Sequence, residues 1–187
     1  MLQMLKSWFA GDPLDGPARK LYHTIVEQAR HPVFYEEFGV PDTANGRFDM
    51  IVLHCFCVMQ RLKNEPEGFD LSQTLMTVVV DDLDRNLREM GVGDLSVGKK
   101  MKRIAEGFYG RLEAYGDGLQ GDGATLIAAL RRNIYSSVED PKEDQIAAVG
   151  EYFGREVKVV NEMSLEALLR GDLSFGSPML TISECGR

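Results

Sequence analysis

Residues 81–115 read DDLDRNLREMGVGDLSVGKKMKRIAEGFYGRLEAY, and their spacing decides the fold class. From Val97 the apolar positions are Val97, Met101, Ile104, Phe108, Leu112, Tyr115 and then Leu119. Steps of three or four throughout predict one long helix, over residues 95–119, with a single buried stripe. Leu83, Leu87 and Met90 continue the series Leu71, Leu75 and Val79, which predicts another long helix starting at Phe69 or Asp70. Gly91 and Gly93 end that helix and turn the chain, and Asp94 or Ser96 is the expected cap of the next. Lys99, Lys100, Lys102 and Arg103 crowd the first turns of the second helix. The positive end of the backbone dipole repels them there by roughly a few tenths of a kcal/mol each. Sequences accept such local conflict at sites of function, so the patch is a candidate dock for an acidic partner. The plainer alternative is a solvated helix face.

Outward from this hairpin the same periodicity recurs. Asp15 and Pro17 open a first helix whose buried face carries Leu21, Tyr22, Ile25, Val26 and Ala29 before Pro32 stops it. A short aromatic segment, Phe34, Tyr35 and Phe38, precedes Gly39, and residues 40–46, VPDTANG, read as a turn-rich connection. The helix that starts near Arg47 has Phe48, Ile51, Val52, Cys55, Phe56, Met59 and Leu62 on one arc and Met50, Leu53 and Cys57 opposite. Apolar groups on nearly every side mark it as the central buried helix. The run Val78-Val79-Val80 suits a strand, but its neighbours favour helix, and the length of the segment decides for helix. Asp81 with Arg85, Asp84 with Arg88, and Arg85 with Glu89 fall at i,i+4, a spacing that supports an exposed helix face by about 0.2–0.5 kcal/mol per pair. Gly116, Gly118, Gly121 and Gly123 read as a flexible link. A shorter helix follows through Ala124, Ile127, Leu130 and Ile134, and a long one runs from Asp140-Pro141 to Gly171. The expected architecture is all-α, a single-domain bundle of six or seven helices over residues 15–171, with an N-terminal segment 1–14 and an irregular C-terminal tail 172–187.

Composition and motifs narrow the function. The chain has 187 residues and a net charge of −8, which excludes a general DNA or RNA binder, since a phosphate backbone demands a basic footprint. Its three cysteines, Cys55, Cys57 and Cys185, form no paired framework and point to a reducing, cytoplasmic setting. The start, MLQMLKSWFAGDP, lacks the features of a secretory signal, and the longest apolar run, residues 51–59, is too short to cross a bilayer. Leu2, Leu5, Trp8 and Phe9 allow at most a peripheral membrane contact. Residues 93–100, GDLSVGKK, imitate a phosphate-binding loop, but Lys100 stands where a magnesium-binding hydroxyl belongs and a charged helix precedes the loop instead of a strand. His54 and Cys57 sit one turn apart, but no second ligand pair accompanies them, so a packed core histidine and thiol are favoured over a metal site. No nucleophile motif or dinucleotide loop is present, and no catalytic residue, metal ligand or cofactor is expected.

Two further features concern binding. Gly107, Gly110 and Ala114 cluster on the flank of the second helix away from Phe108, a pattern suited to a close neighbour, either a helix of the same bundle or an external one. Asp82 and Asn86 interrupt an apolar sector, either lining a polar groove or satisfying backbone groups. The expected binding residues are Lys99, Lys100, Lys102 and Arg103 as an electrostatic dock, with Asp82, Arg85, Asn86, Arg88, Tyr109, Gly110 and Arg111 around an adjoining groove.

Several motifs in order resemble the ubiquinol-cytochrome c chaperone family: Phe34-Tyr35, Val40-Pro41-Asp42-Thr43, Gly46-Arg47-Phe48-Asp49, Leu53-His54, Arg61-Leu62, the run DRNLREMGVGD at 84–94, Val97-Gly98-Lys99 and Phe108-Tyr109-Gly110-Arg111. The resemblance covers roughly residues 19–119. It implies a non-enzymatic assembly factor that binds newly made cytochrome b, or another subunit of the cytochrome bc1 complex, and that also contacts the ribosome. A bacterial member is the expectation, since no mitochondrial presequence is evident, with a cytoplasmic location peripheral to the inner membrane. An apolar client calls for exposed apolar side chains, and Phe34, Tyr35, Phe38 and Met50 are the expected contributors. The alternative is a ribosome- or RNA-associated adaptor that works through residues 99–103.

Overall fold

The chain is built around its most apolar helix. The computed structural model describes residues 12–179, which form eight helices and no strand. They are α1 (Asp15–Ala29), α2 (Pro32–Glu36), α3 (Ala44–Leu62), α4 (Pro66–Glu89), α5 (Asp94–Gln120), α6 (Gly123–Ile134), α7 (Glu143–Asn161) and α8 (Leu165–Leu169). All seven residues from Val52 to Val58 are buried, and α3 touches α1, α4, α5, α6 and α7. The all-α expectation holds, and so does helix rather than strand for Val78-Val79-Val80.

The starts and stops have local causes. Thr43 Oγ1 accepts from Gly46 N at 3.1 Å and opens α3 three residues earlier than the apolar pattern suggests. Asn45-Gly46 is therefore the first turn of a helix and not a free turn. Glycine is needed at 46 because a Cβ there would lie 2.0 Å from the Pro41 carbonyl oxygen. Pro66 sits at the first position of α4, where its fixed φ favours helix, so this element also starts early. At its other end Gly91, with φ 79°, donates to Arg88 O while Val92 donates to Leu87 O, the paired bonds of a left-handed C-terminal cap. Neither Asp94 nor Ser96 caps α5. Gly93 is the N-cap, and Asp94 is taken up by Arg88, which also holds Asp84. Of the expected i,i+4 pairs on α4, only Asp84 with Arg88 forms.

Two expectations about the C-terminal half are corrected. Gly116 and Gly118 do not loosen the chain but lie inside α5, which continues to Gln120 because α6 folds back against it. A Cβ on Gly118 would sit 2.9 Å from Leu126 Cα, so the glycine sets how closely the two helices approach. Asp122 then caps α6, its carboxylate accepting from Thr125 N at 2.8 Å. The long last helix is in fact two, since Ser164 Oγ accepts from Ala167 N and starts α8 afresh.

The buried histidine and aspartate of α3 are both paired, whereas the Tyr115 hydroxyl and Asn133 Nδ2 are buried without a partner. His54 is buried between the Met50 carbonyl and the Tyr152 hydroxyl, each at 2.7 Å. A carbonyl only accepts, so Nδ1 carries the proton and Nε2 accepts from Tyr152, whose oxygen in turn accepts from Gln28 Nε2 at 2.9 Å. Burial lowers the His54 pKa to about 4 against a small opposing effect of the Met50 carbonyl. Cys57 donates to Leu53 O, so both members of the imagined metal pair are packed core groups. Asp49, also buried, accepts from Arg111 Nε at 2.7 Å. Burial outweighs the attraction of Arg111 and pushes the Asp49 carboxyl up to about 6.

Residues 172–179 hold no helix, yet they strap α1 to α7. Gly176 N donates to Glu156 Oε2 at 2.7 Å, Gln28 Nε2 donates to Gly176 O at 2.9 Å, and Arg155 donates to Ser177 O at 2.6 Å. The Phe175 ring meets His54 edge-on at 4.9 Å. Phe34, Phe38 and Met50, expected on an exposed holding surface, are instead buried. The Phe34 ring meets Tyr152 at 4.9 Å and His54 at 5.7 Å, and enclosing this polar cluster in aromatic rings is what takes the segment inward. Leu2, Leu5, Trp8, Phe9 and Cys185 lie outside the described residues.

Replacing Gly118 with alanine should push α5 and α6 apart and lower unfolding free energy by about 1–3 kcal/mol in urea denaturation. The two buried ionisable groups predict a pH signature. His54 stabilises the fold above its unfolded pKa of 6.5, and that contribution is lost as pH falls through about 4. Asp49 does the reverse, stabilising below 3.8 and losing that contribution as pH rises through about 6, so the two largely cancel between these limits. In an Asp49→Asn variant the cancellation is gone. Its stability relative to the wild type should rise from pH 4 to pH 6 by at most about 3 kcal/mol, read by denaturant titration at each pH.

Candidate docking surface

The residues expected to form one dock and one groove fall in four places. Asp82, on α4, is tied inward, its Oδ2 accepting from the Tyr22 hydroxyl at 2.8 Å and from Asn86 Nδ2 at 3.1 Å. Burial and this carboxylate both push the Tyr22 hydroxyl far above its ordinary pKa. Arg85 lies beside them, in a cleft of about 330 Å³ between α1 and α4 that is also lined by Arg19, His23 and Arg30. Arg88 bridges Asp84 and Asp94 across the α4–α5 turn. Asp82 thus fastens α4 to α1 and Arg88 fastens it to α5, while Asn86 supports Asp82 from the same helix.

Arg111 is a joint as well. Beyond its Asp49 partner it donates Nη1 to Gly107 O at 2.9 Å and lies over the Phe48 ring at 5.5 Å, locking α5 to α3. Two of the sequence motifs, Gly46-Arg47-Phe48-Asp49 and Phe108-Tyr109-Gly110-Arg111, meet in this contact. Gly110 faces open space, and a Cβ on Gly107 would meet only Arg111 of the same helix. No helix among the described residues nests on Gly107 or Gly110, whereas Ala114, the third member of that flank, packs against the core.

Lys99, Lys100, Lys102 and Arg103 are exposed on the outer side of α5, opposite buried Val97 and half-buried Met101 and Ile104. Lys102 approaches Glu106 at 3.9 Å, and the other three have no ion-pair partner among the described residues. Gly98 and Lys99 are helical and follow helix α4, so residues 93–100 form no phosphate cradle.

Tyr109 belongs to a feature that the sequence reading did not anticipate. It stands at the rim of a groove of about 470 Å³ between α3, α4 and α5, lined by Phe56, Met59, Phe69, Met76 and Leu112. Phe69 and Tyr109 are each about half exposed. Phe69 and Met76 stand seven residues apart on one face of α4 with polar Gln73 between them, so the signal available was only this apolar pair beside the core series. Lys102 lies two turns before Tyr109 on the same face, about 10 Å away, which sets the cationic patch at one end of the groove.

A family model described as ubiquinol-cytochrome C chaperone matches residues 36–175. The chain is 27% identical over 154 residues to the ubiquinol-cytochrome-c reductase complex assembly factor 1 of Xenopus laevis, a match that spans 81% of this chain and 76% of that protein. With the human protein of the same name it shares 27% identity over 161 residues, 84% of this chain but only 53% of the human length. The crystal structure of the Cbp3 homolog from Brucella abortus superposes with a TM-score of 0.80 at 37% identity, over 95% of this chain and 97% of that one.

These placements separate scaffold from surface. Arg111→Ala should lower stability by about 2–4 kcal/mol by leaving Asp49 buried without its partner. Lys99→Ala should change stability by less than about 0.5 kcal/mol. Gly110→Ala should raise it by about 0.5–1 kcal/mol, since a methyl group meets nothing there and helix entropy improves. Urea midpoints at constant slope would check all three.

Proposed function

This chain belongs to the ubiquinol-cytochrome c chaperone family, and on that footing we propose that it is a non-enzymatic assembly chaperone of the bc1 complex whose client is newly made cytochrome b. The observation that carries the reading is the groove between α3, α4 and α5. A protein that holds an apolar membrane subunit needs an exposed apolar surface that does not collapse into its own core. The groove provides one, with Phe69 and Tyr109 standing half out of it and flexible Met59 and Met76 at its floor and wall, side chains that adapt to irregular shapes. The rigid bundle beneath holds these rings in place, so little ordering free energy is lost when a client segment enters. No helix among the described residues is long and apolar enough to cross a membrane.

Within this reading Lys99, Lys100, Lys102 and Arg103 orient the chaperone at the mouth of the groove, Tyr109 stands at its rim, and Gly110 lies outside the groove beside it. Asp82, Asn86, Arg88 and Arg111 hold α4 and α5 in place through Tyr22, Asp94 and Asp49, and Arg85 lines the separate cleft between α1 and α4.

Affinity purification of the tagged protein from detergent-solubilised membranes of its native cell should recover cytochrome b or another bc1 subunit. A Phe69→Ser, Tyr109→Ser variant should recover at least about tenfold less, with its melting temperature little changed because both rings are half in water already. Recovery of no bc1 subunit, under conditions that retain other assembly factors, would defeat the proposal.

A further inference from the structure

The outer face of α5 carries four cations in five residues in a chain of net charge −8. Between positions 95 and 106 four cations stand against one carboxylate, Glu106, so the excess of negative charge lies elsewhere in the chain. Two large apolar side chains share this positive end. Leu95 is fully exposed, and Met90, at the close of α4, is exposed for about two thirds of its surface. Leu95, Lys99 and Lys102 follow i, i+4 and i+7 and so share the outward face, flanked by Lys100 and Arg103. The turn between the helices is bare, since Cβ atoms at Gly91, Gly93 and Gly98 would each meet nothing within 4 Å. Folding gains nothing from a leucine left in water on the first turn of a helix, and cations near that helix start oppose the backbone dipole. Both choices make sense together if the surface they face is apolar inside and negative at its edge.

We propose that the α4–α5 turn docks on an anionic lipid bilayer. Met90 and Leu95 enter the boundary between headgroups and acyl chains, and Lys99, Lys100, Lys102 and Arg103 lie against the headgroup phosphates. The combination is that of an interfacial helix, in which a short apolar insertion and a few cations together give reversible attachment. Single-stranded nucleic acid fits less well, because it asks for a cationic track with aromatic rings on which bases stack. On α5 the only exposed ring is Tyr109, two turns further on and beyond Glu106. The orientation follows from the helix: with the turn on the membrane, the groove at Tyr109 faces the bilayer surface obliquely, about two turns of helix above it.

The test is sedimentation of the full purified chain with vesicles of phosphatidylcholine alone or of phosphatidylcholine with phosphatidylglycerol. The chain should pellet with the anionic vesicles and stay in solution with the neutral ones, and added salt should release it. Replacing Lys99, Lys100, Lys102 and Arg103 with alanine should weaken partitioning about fivefold per cation, on the order of several hundredfold in all. Leu95→Ser should weaken it at low and high salt alike. All five positions are exposed, and unchanged far-ultraviolet circular dichroism would confirm that the variants fold. Equal pelleting with neutral vesicles, pelleting with neither, or wild-type binding by the alanine variant would each overturn the proposal. So would a single-stranded RNA oligonucleotide that displaces the vesicles and binds the Leu95→Ser variant as well as the wild type. None of these readings depends on recovery of a bc1 subunit, so this proposal and the client assignment stand or fall separately.

Discussion

A helix about 10 Å across with apolar side chains on nearly every side has to be surrounded all round, and the burial of residues 52–58 imposes that demand here. Five other helices gather round α3 to meet it, and their order in sequence allows short connections between most neighbours. The polar groups caught inside then have to be satisfied where they stand. His54 finds Met50 O and Tyr152, while Asp49 finds Arg111. These bonds tie α3 to α7 and to α5, the helix that carries the exposed cations, so the same constraint that closes the core also fixes the direction in which the outer face of α5 points.

The helices themselves were legible because their apolar spacing is a local property. The stripe on α5 and the all-round apolarity of α3 translate directly into burial. The starts were less legible: Thr43, Pro66 and Ser164 act through bonds and fixed dihedrals that override the apolar pattern by several residues. Glycine was the least legible residue. In sequence Gly118 resembles a hinge and Gly110 a contact point, yet the first is wedged against Leu126 and the second faces open space, because tertiary neighbours and not the helix itself decide.

For the surface, charge was legible and grouping was not. Four cations in five residues announce themselves, and they are exposed as their helix position requires. Arg88 and Arg111 look equivalent to them in sequence, but Arg88 bridges Asp84 and Asp94 across the α4–α5 turn and Arg111 holds Asp49 on α3, so both join helices. Phe34 and Phe38 suggested an adhesive surface and instead enclose the polar cluster at His54, whereas Phe69, which drew no attention, stands out in solvent. A ring count cannot distinguish these fates, because each depends on which helix arrives opposite.

The strap over α1 and α7 has a consequence for the order of events at synthesis. Glu156 has no exposure in the finished protein, and one of its two oxygens is satisfied by the backbone nitrogen of Gly176, twenty residues downstream. Until that glycine has left the exit tunnel, the carboxylate must stay hydrated and the ring of Phe175 cannot close over His54. The bundle is therefore latched from its C-terminal side, and a nascent chain halted before residue 176 holds its helices with a wet seam between the first of them and the seventh.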